Sequence, residues 1–381
     1  MALVAWLIAG CGGLGPTGDG AAGTPDAAPA AHDRIFVSQA GSATILAIDG
    51  ATGAIDARIE VGLLPHNLAV SPDGTTLYAA LAGSQAVAEI DVATARLRRT
   101  MLTAPVPANR ADGTVIQAHV DQGAFAHTTC YDCHRPGGAE PRYAGDRPFG
   151  LLMSSDGGRL LVSHLRRAEI AVLDLATGDL EAAIPVAPAG SAHEAVAMAE
   201  LDGELWVALR PTQPSTLPGA LRRIELATGR PLGDVATGAD PVSLLALPER
   251  GSVVVANFET DTLVEHTRDG AAIARGAAPG PLGVTQLSPG QLLALDYYSN
   301  SISFVDLDAG ASRTVALDRG GAPYANPTHA AVSSDRRTAW IVIGSTDGHL
   351  LQLDLATAQV VRDIPIDGLS FGIALVPRVS P

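Results

Sequence analysis

One short run concentrates the chemistry of this chain: Cys130-Tyr131-Asp132-Cys133-His134. Two thiols three positions apart reach the two vinyl groups of one porphyrin, and the next residue places an imidazole under the iron. Such a CxxCH run reads as covalent attachment of one c-type haem, with Cys130 and Cys133 as anchors and His134 as an axial iron ligand. Two other readings use the same atoms. The thiols could close a Cys130–Cys133 disulfide in an oxidising compartment. They could instead hold zinc, but zinc needs two more ligands and the sequence has no second CxxC. Arg135, Arg142 and Arg147 lie close by, as forks for haem propionates or as solvated loop charges. The sixth iron ligand stays open: His119 and His127 precede the motif, and Met101 and Met153 flank its segment, Met153 reading rather as a core-strand residue.

A repeat must position this motif. His66-Asn67-Leu68-Ala69-Val70, Thr76 to Leu81, Ala86 to Asp91 and Arg96 to Met101 are four short apolar or alternating runs separated by turn residues, which predicts a four-stranded antiparallel meander. Pro72-Asp73-Gly74 supplies a turn: Pro presets φ, Asp bonds its own backbone and Gly accepts positive φ. The unit returns about every 40 residues, the period of a propeller blade. Phe149 to Val186, His193 to Val235, Val242 to Arg275, Leu282 to Leu317 and His329 to Ile366 are further copies. Arg34 to Val61 holds only three strands, and Ser370 to Pro377 is a lone innermost strand. Pairing these two ends completes a seventh blade and leaves no open edge. The expected fold is therefore all-β, a seven-bladed β-propeller over residues 34–381, its ring closed by the N- and C-terminal strands. The period breaks once, at residues 104–148 between blades 2 and 3, and the CxxCH motif lies in that insert.

The pattern SPDG followed by DLATG, as in Ser71-Pro72-Asp73-Gly74 and Asp174-Leu175-Ala176-Thr177-Gly178, resembles the YVTN-type bacterial surface β-propellers over nearly the whole repeat region. The insert resembles the haem-attachment segment of cytochrome c and of bacterial di-haem peroxidases, but is short for a complete cytochrome domain. At the N-terminus, Met1 to Gly10 is an apolar run too short to span a bilayer and suits a signal peptide. Ile8-Ala9-Gly10-Cys11 resembles the lipobox of bacterial lipoproteins, although no Lys or Arg precedes the run. That resemblance implies cleavage after residue 10, acylation of Cys11 and export to the outer membrane. Residues 12–33, rich in Gly, Ala, Pro, Thr and Asp, read as a flexible tether.

Composition excludes one partner class. A net charge of −15 with only 25 cationic residues repels phosphate backbones, so nucleic-acid binding is not expected. Aligning the blades on the start of the innermost strand puts His66, Phe149, His193, Val242, Leu282, His329 and Phe371 in register around one mouth of the channel. The insert is a blade connection on that same face, so three imidazoles are further candidates for the sixth ligand, or for a second metal or cofactor. Three functions remain open. The first, and the one favoured here, is a monomeric electron carrier serving a redox partner protein or a small donor or acceptor. The second is a haem-dependent oxidoreductase, similar to peroxidases or to the nitrite reductases that hold a second haem in a propeller. A lactonase-like hydrolase rests on fold analogy alone. The third is a non-catalytic surface scaffold with a CxxC disulfide.

Overall fold

A computed structural model describes residues 32–103 and 147–378, apart from 166, 188–191, 213–215 and 276–278. It contains seven four-stranded antiparallel sheets. Blade 1 takes Asp33–Gln39, Thr44–Asp49 and Ile55–Glu60 from the N-terminal side and its innermost strand, Ser370–Pro377, from the C-terminal end. Blade 2 runs from Pro65 to Leu102, blade 3 from Pro148 to Pro185 and blade 4 from His193 to Ala239. Blades 5, 6 and 7 follow, from Pro241 to Ala274, Pro281 to Ala316 and Pro327 to Pro365. Short 3-10 turns are the only helical elements among the described residues. The expected ring, its blade count and its closing strand are all present.

The second strand of each blade alternates residues between the two neighbouring blades and is buried on both faces, as in Thr76–Leu81, whereas outermost strands such as Arg96–Leu102 are largely exposed. Leu77, Ala79 and Leu81 of blade 2 pack on Phe36, Ile45 and Ala47 of blade 1. Tyr78 and Val87, on the other face, pack on Leu160 and Val162 of blade 3. Seven such apolar layers replace a single central core.

At the upper face, where the innermost strands begin, five blades start with proline: Pro65, Pro148, Pro241, Pro281 and Pro327. The residue before each has positive φ, for example Leu64 (52°), Arg147 (47°), Asp240 (51°) and Asn326 (62°). Its carbonyl accepts the N–H that opens the loop between the second and third strands, as in Ala82 to Leu64 at 2.9 Å and Leu165 to Arg147 at 3.0 Å. Proline has no N–H to extend the ladder, so these strands stop there.

The inner strands are riveted to one another just below. Gly150 donates to Ser163 Oγ at 2.9 Å, and Ser163 donates to the Val196 carbonyl of the next blade at 2.7 Å. Gly372, Ser38 and the His66 carbonyl repeat this at the closing blade, at 2.8 and 2.7 Å. A Cβ on Gly372 would overlap the His66 carbonyl oxygen, so glycine there permits the close approach of two blades.

Candidate functional site

The pairing registers fix which residues ring the upper mouth. Pro65 faces Leu81 and Pro148 faces His164, each followed by a bulge that realigns the strand three residues later. A one-residue bulge also follows Ala195, Pro327 and Ser370 with the same spacing, and follows Pro241 and Pro281 with realignment two residues on. One residue inward from this start lie His66, Phe149, Val196, Val242, Leu282, Thr328 and Phe371. The sequence alignment is therefore right for five blades and wrong for two. His329 sits one residue deeper than expected. His193 sits three residues higher. The prolines were the better marker, because they mark where the ladder must end.

This layer is a plug. The His66 ring stacks on Phe371 (centroids 4.2 Å apart, 16° between planes) and leans on Phe149 at 4.3 Å. Phe371 continues into an apolar cluster with Leu64, Leu369, Phe258 and Tyr297, bordered by Val242 and Leu282. His66 is 5% exposed. Burial, with the His329 imidazole adding to it, holds its pKa well below the usual histidine range. The His329 ring lies 6.4 Å away, edge-on. It keeps partial exposure toward the channel but is densely surrounded, and burial lowers its pKa to about 4. Both imidazoles are therefore neutral at physiological pH.

Blade 4 breaks the plane of the upper face. Its first three strands start or end beyond the level of the others: His193 pairs with Pro211 and Glu194 with Arg210, above the Ala195–Leu209 pair that matches Pro65–Leu81. The reason is local. Ala195 stands where five blades have proline, so its N–H continues the ladder, and two further residues rise about 7 Å as a wall beside the mouth.

A buried ion cluster braces this wall. Arg210 bonds Glu194 at 2.9 Å and reaches Asp240 of blade 5 at 3.0 Å. Burial opposes the Arg210 charge, but Asp240 and Glu194 more than offset it, and its pKa lies above the ordinary value. Burial raises the Glu194 pKa, against the attraction of Arg210 and of Arg147. Arg147, the last residue before blade 3, is itself buried. It is thus a fixed strut at the end of the insert, and the strand of blade 3 already begins at Pro148.

The sequence-predicted residues now separate. His193 crowns the wall, partly exposed, and among the described residues it has no hydrogen-bond partner. His66 and His329 lie within the plug. Met101 is 1% exposed in the apolar layer with Tyr78, Val87 and Leu160, where it packs as an ordinary core residue. Met153 borders the same layer. Cys11, His119, His127, Cys130, Cys133 and His134 lie outside the described residues, as do Arg135 and Arg142. The stems of the insert are fixed. Thr103 N–H and Oγ both bond the Gln85 carbonyl at 3.1 Å, and the Arg147 carbonyl holds Leu165. The donor chemistry beside them suits a haem: an open imidazole next to an apolar, aromatic mouth. No cluster of three or more metal-ligating side chains occurs among the described residues.

No protein-family model and no curated protein matches the sequence. Solved structures do match in fold. The periplasmic gluconolactonase PpgL of Pseudomonas aeruginosa aligns with a TM-score of 0.63 at 16% identity, over 90% of this chain and 99% of that one. Hydrazine synthase of Kuenenia stuttgartiensis aligns with a TM-score of 0.59 at 13% identity, over 87% and 92%. The dihydro-heme d1 dehydrogenase NirN, in complex with DHE, aligns at 0.55 and 16%, over 90% and 74%. At such identities the likeness establishes the propeller fold alone.

Proposed function

We propose that this chain is an exported propeller that carries one haem c, bound through Cys130 and Cys133 with His134 on the iron, and serves as a one-electron carrier. The observation that carries this reading is where the CxxCH run falls. It lies in the one long break of the repeat, residues 104–146, between the outermost strand of blade 2, which ends at Leu102, and the innermost strand of blade 3, which begins at Pro148. When bound, the haem supplies reversible one-electron exchange at iron. The chain's own part is to anchor the two ends of the insert at Thr103 and Arg147.

The closed mouth supports a carrier over an enzyme that takes substrate into the channel from above, because His66 lies between Phe149 and Phe371. NirN offers a precedent for a propeller of this fold that handles a haem. The partner is a redox protein or a small donor or acceptor. The proposed address is the outer membrane, through acylated Cys11 and the tether of residues 12–33.

The test is a pyridine haemochrome spectrum and an intact mass on protein matured for c-type haem. A c-type α-band and a mass gain of one haem are expected. A mass two protons light with no haem means a Cys130–Cys133 disulfide and ends this reading. Cys11→Ser is expected to release the protein from membranes, and persistent membrane association after that change would remove the lipid anchor.

A further inference from the structure

We infer that the lower face carries an anion site at the ring-closing seam, built on Arg34, which takes a small carboxylate with a short apolar body. The site is independent of the haem reading. A cavity of about 250 Å³ opens between blades 1 and 2, lined by Arg34, Val92, Ala93, Val376, Pro377 and Arg378. Val376 and Pro377 end the closing strand, Arg34 lies on the strand it pairs with, and Val92 and Ala93 belong to a turn of blade 2. The Arg34 side chain is only 11% exposed, and its Nε is buried with no hydrogen-bond partner among the described residues. Nη1 donates to the Val92 carbonyl and, at 3.0 Å, to the Ala93 carbonyl, both uncharged groups. The one carboxylate within ion-pair range of Arg34 among the described residues is Asp56, at 3.9 Å, and Arg378 already holds Asp56 at 2.6 Å. Arg378 also takes Asp49 at 2.6 Å, which His32 bonds as well.

A guanidinium taken out of water needs a close counter-charge. Arg34 lacks one: burial, and then the repulsion of Arg378, lower its pKa in spite of Asp56, Asp49 and Asp91. By contrast, Arg98, Arg159, Arg210, Arg250, Arg268 and Arg319 each hold a carboxylate at bonding distance, and each has a raised pKa. A carboxylate in the cavity supplies the missing charge. Val92, Val376 and Pro377 offer the rest of the ligand an apolar wall. The volume holds roughly six to ten non-hydrogen atoms, which fits a short monocarboxylate and is too small for a nucleotide. Phosphate is the poorer match, because its additional oxygens need donors that Pro377 and the Val92 and Ala93 carbonyls do not offer. Since the site joins the closing strand to blade 2, an occupant ties its binding energy to closure of the ring.

The experiment is thermal unfolding of the full-length protein at pH 7.5 in sodium butyrate, against sodium chloride and sodium phosphate of equal ionic strength. Saturation-transfer NMR on the butyrate methyl group reads contact directly. With a dissociation constant on the order of 5 mM, about 50 mM butyrate is expected to raise the midpoint by about 2 °C over chloride and to give a saturable NMR signal. Ala93→Trp changes an exposed residue of the cavity lining. It is expected to keep the butyrate-free midpoint within about 1 °C and to lose both responses. Arg34→Gln is expected to lose both responses as well. A wild type that responds equally to butyrate, chloride and phosphate, or does not respond to butyrate, overturns the assignment. So does a butyrate response that survives in Ala93→Trp or in Arg34→Gln.

Discussion

Asp296 shows how a single buried group can set a pH dependence. It ends the second strand of blade 6, fully buried, with Oδ2 accepting from Ser301 at 3.0 Å and Ser303 at 2.8 Å, while Oδ1 has no partner among the described residues. Burial raises its pKa to about 6, more than the two hydroxyls lower it. A raised carboxyl penalises the fold where it is ionised, so the penalty is full above pH 6 and fades as the pH falls toward its unfolded value near 4. Asp296→Asn is accordingly expected to stabilise the protein by about 2–3 kcal/mol at pH 7.5 and by little at pH 4.5, checked by thermal unfolding at both. An equal gain at the two values would show that the carboxyl does not titrate there. Arg210 makes the opposite case. Removing it as Arg210→Met leaves Glu194 and Asp240 buried together, and a loss of about 3–5 kcal/mol is expected in urea unfolding. Sequence alone read neither residue, because nothing in the strand patterns distinguishes a buried Asp or Arg from an exposed one at a strand end.

The elements obey chemistry that was visible in the sequence only where a turn or a missing N–H writes it. The turns after the third strands carry Asp and Thr with a fixed purpose: Asp49, Asp91, Asp174 and Asp354 accept N–H groups two or three residues on, as in Thr94 to Asp91 at 2.7 Å. The last strand, Ser370–Pro377, was also legible, as an orphan matching an incomplete first blade. Its pairing with Asp33–Gln39 is what closes the ring. Removing residues 370–381 is expected to expose that edge and give a chain that aggregates or unfolds at least 15 °C lower; an unchanged midpoint would contradict closure by this strand. A gentler cut at the same seam is Gly372→Ala, whose Cβ would meet the His66 backbone. A loss of about 2 kcal/mol or more is expected by denaturant titration. The wall of blade 4 was not foreseen, although its signal, an alanine in place of the recurring proline, was present.

Across the whole molecule, arginine does the work of joining blades on the lower face. The sequence contains no lysine, so all 25 of its cationic residues besides histidine are arginine. Arg99 bonds the Leu175 carbonyl of blade 3 at 2.6 Å and Arg250 bonds Asp308 of blade 6 at 2.7 Å. Arg336 and Arg362 reach Leu287 and Gly50 across the next two seams. A planar fork suits this task, since it spans a seam with several donors. The buried histidines give the molecule its acid response. Burial lowers the pKa of His66, His266 and His329, so the stability they leave intact above pH 6.5 is lost as the pH falls from there toward their folded values, about 4 for His329. Acidification from pH 7 to 4.5 is expected to lower the unfolding midpoint, and His266→Phe to flatten that decline. A midpoint independent of pH over this range would show that these rings stay solvated or exchange partners.

Local sequence determined the number of blades, the closing strand, the site of the insert and the presence of one CxxCH motif, because each is written in contiguous residues: turn chemistry, a period near 40 and a break in that period. Tertiary structure alone decided which rings meet in the plug. His66 follows Pro65 by one residue, His329 follows Pro327 by two, and His193 precedes Ala195, which stands at the matching position of blade 4, by two. The His66 ring meets Phe149 and Phe371 across two blade boundaries, with centroids 4.3 and 4.2 Å apart. No single repeat contains the information that sets those distances.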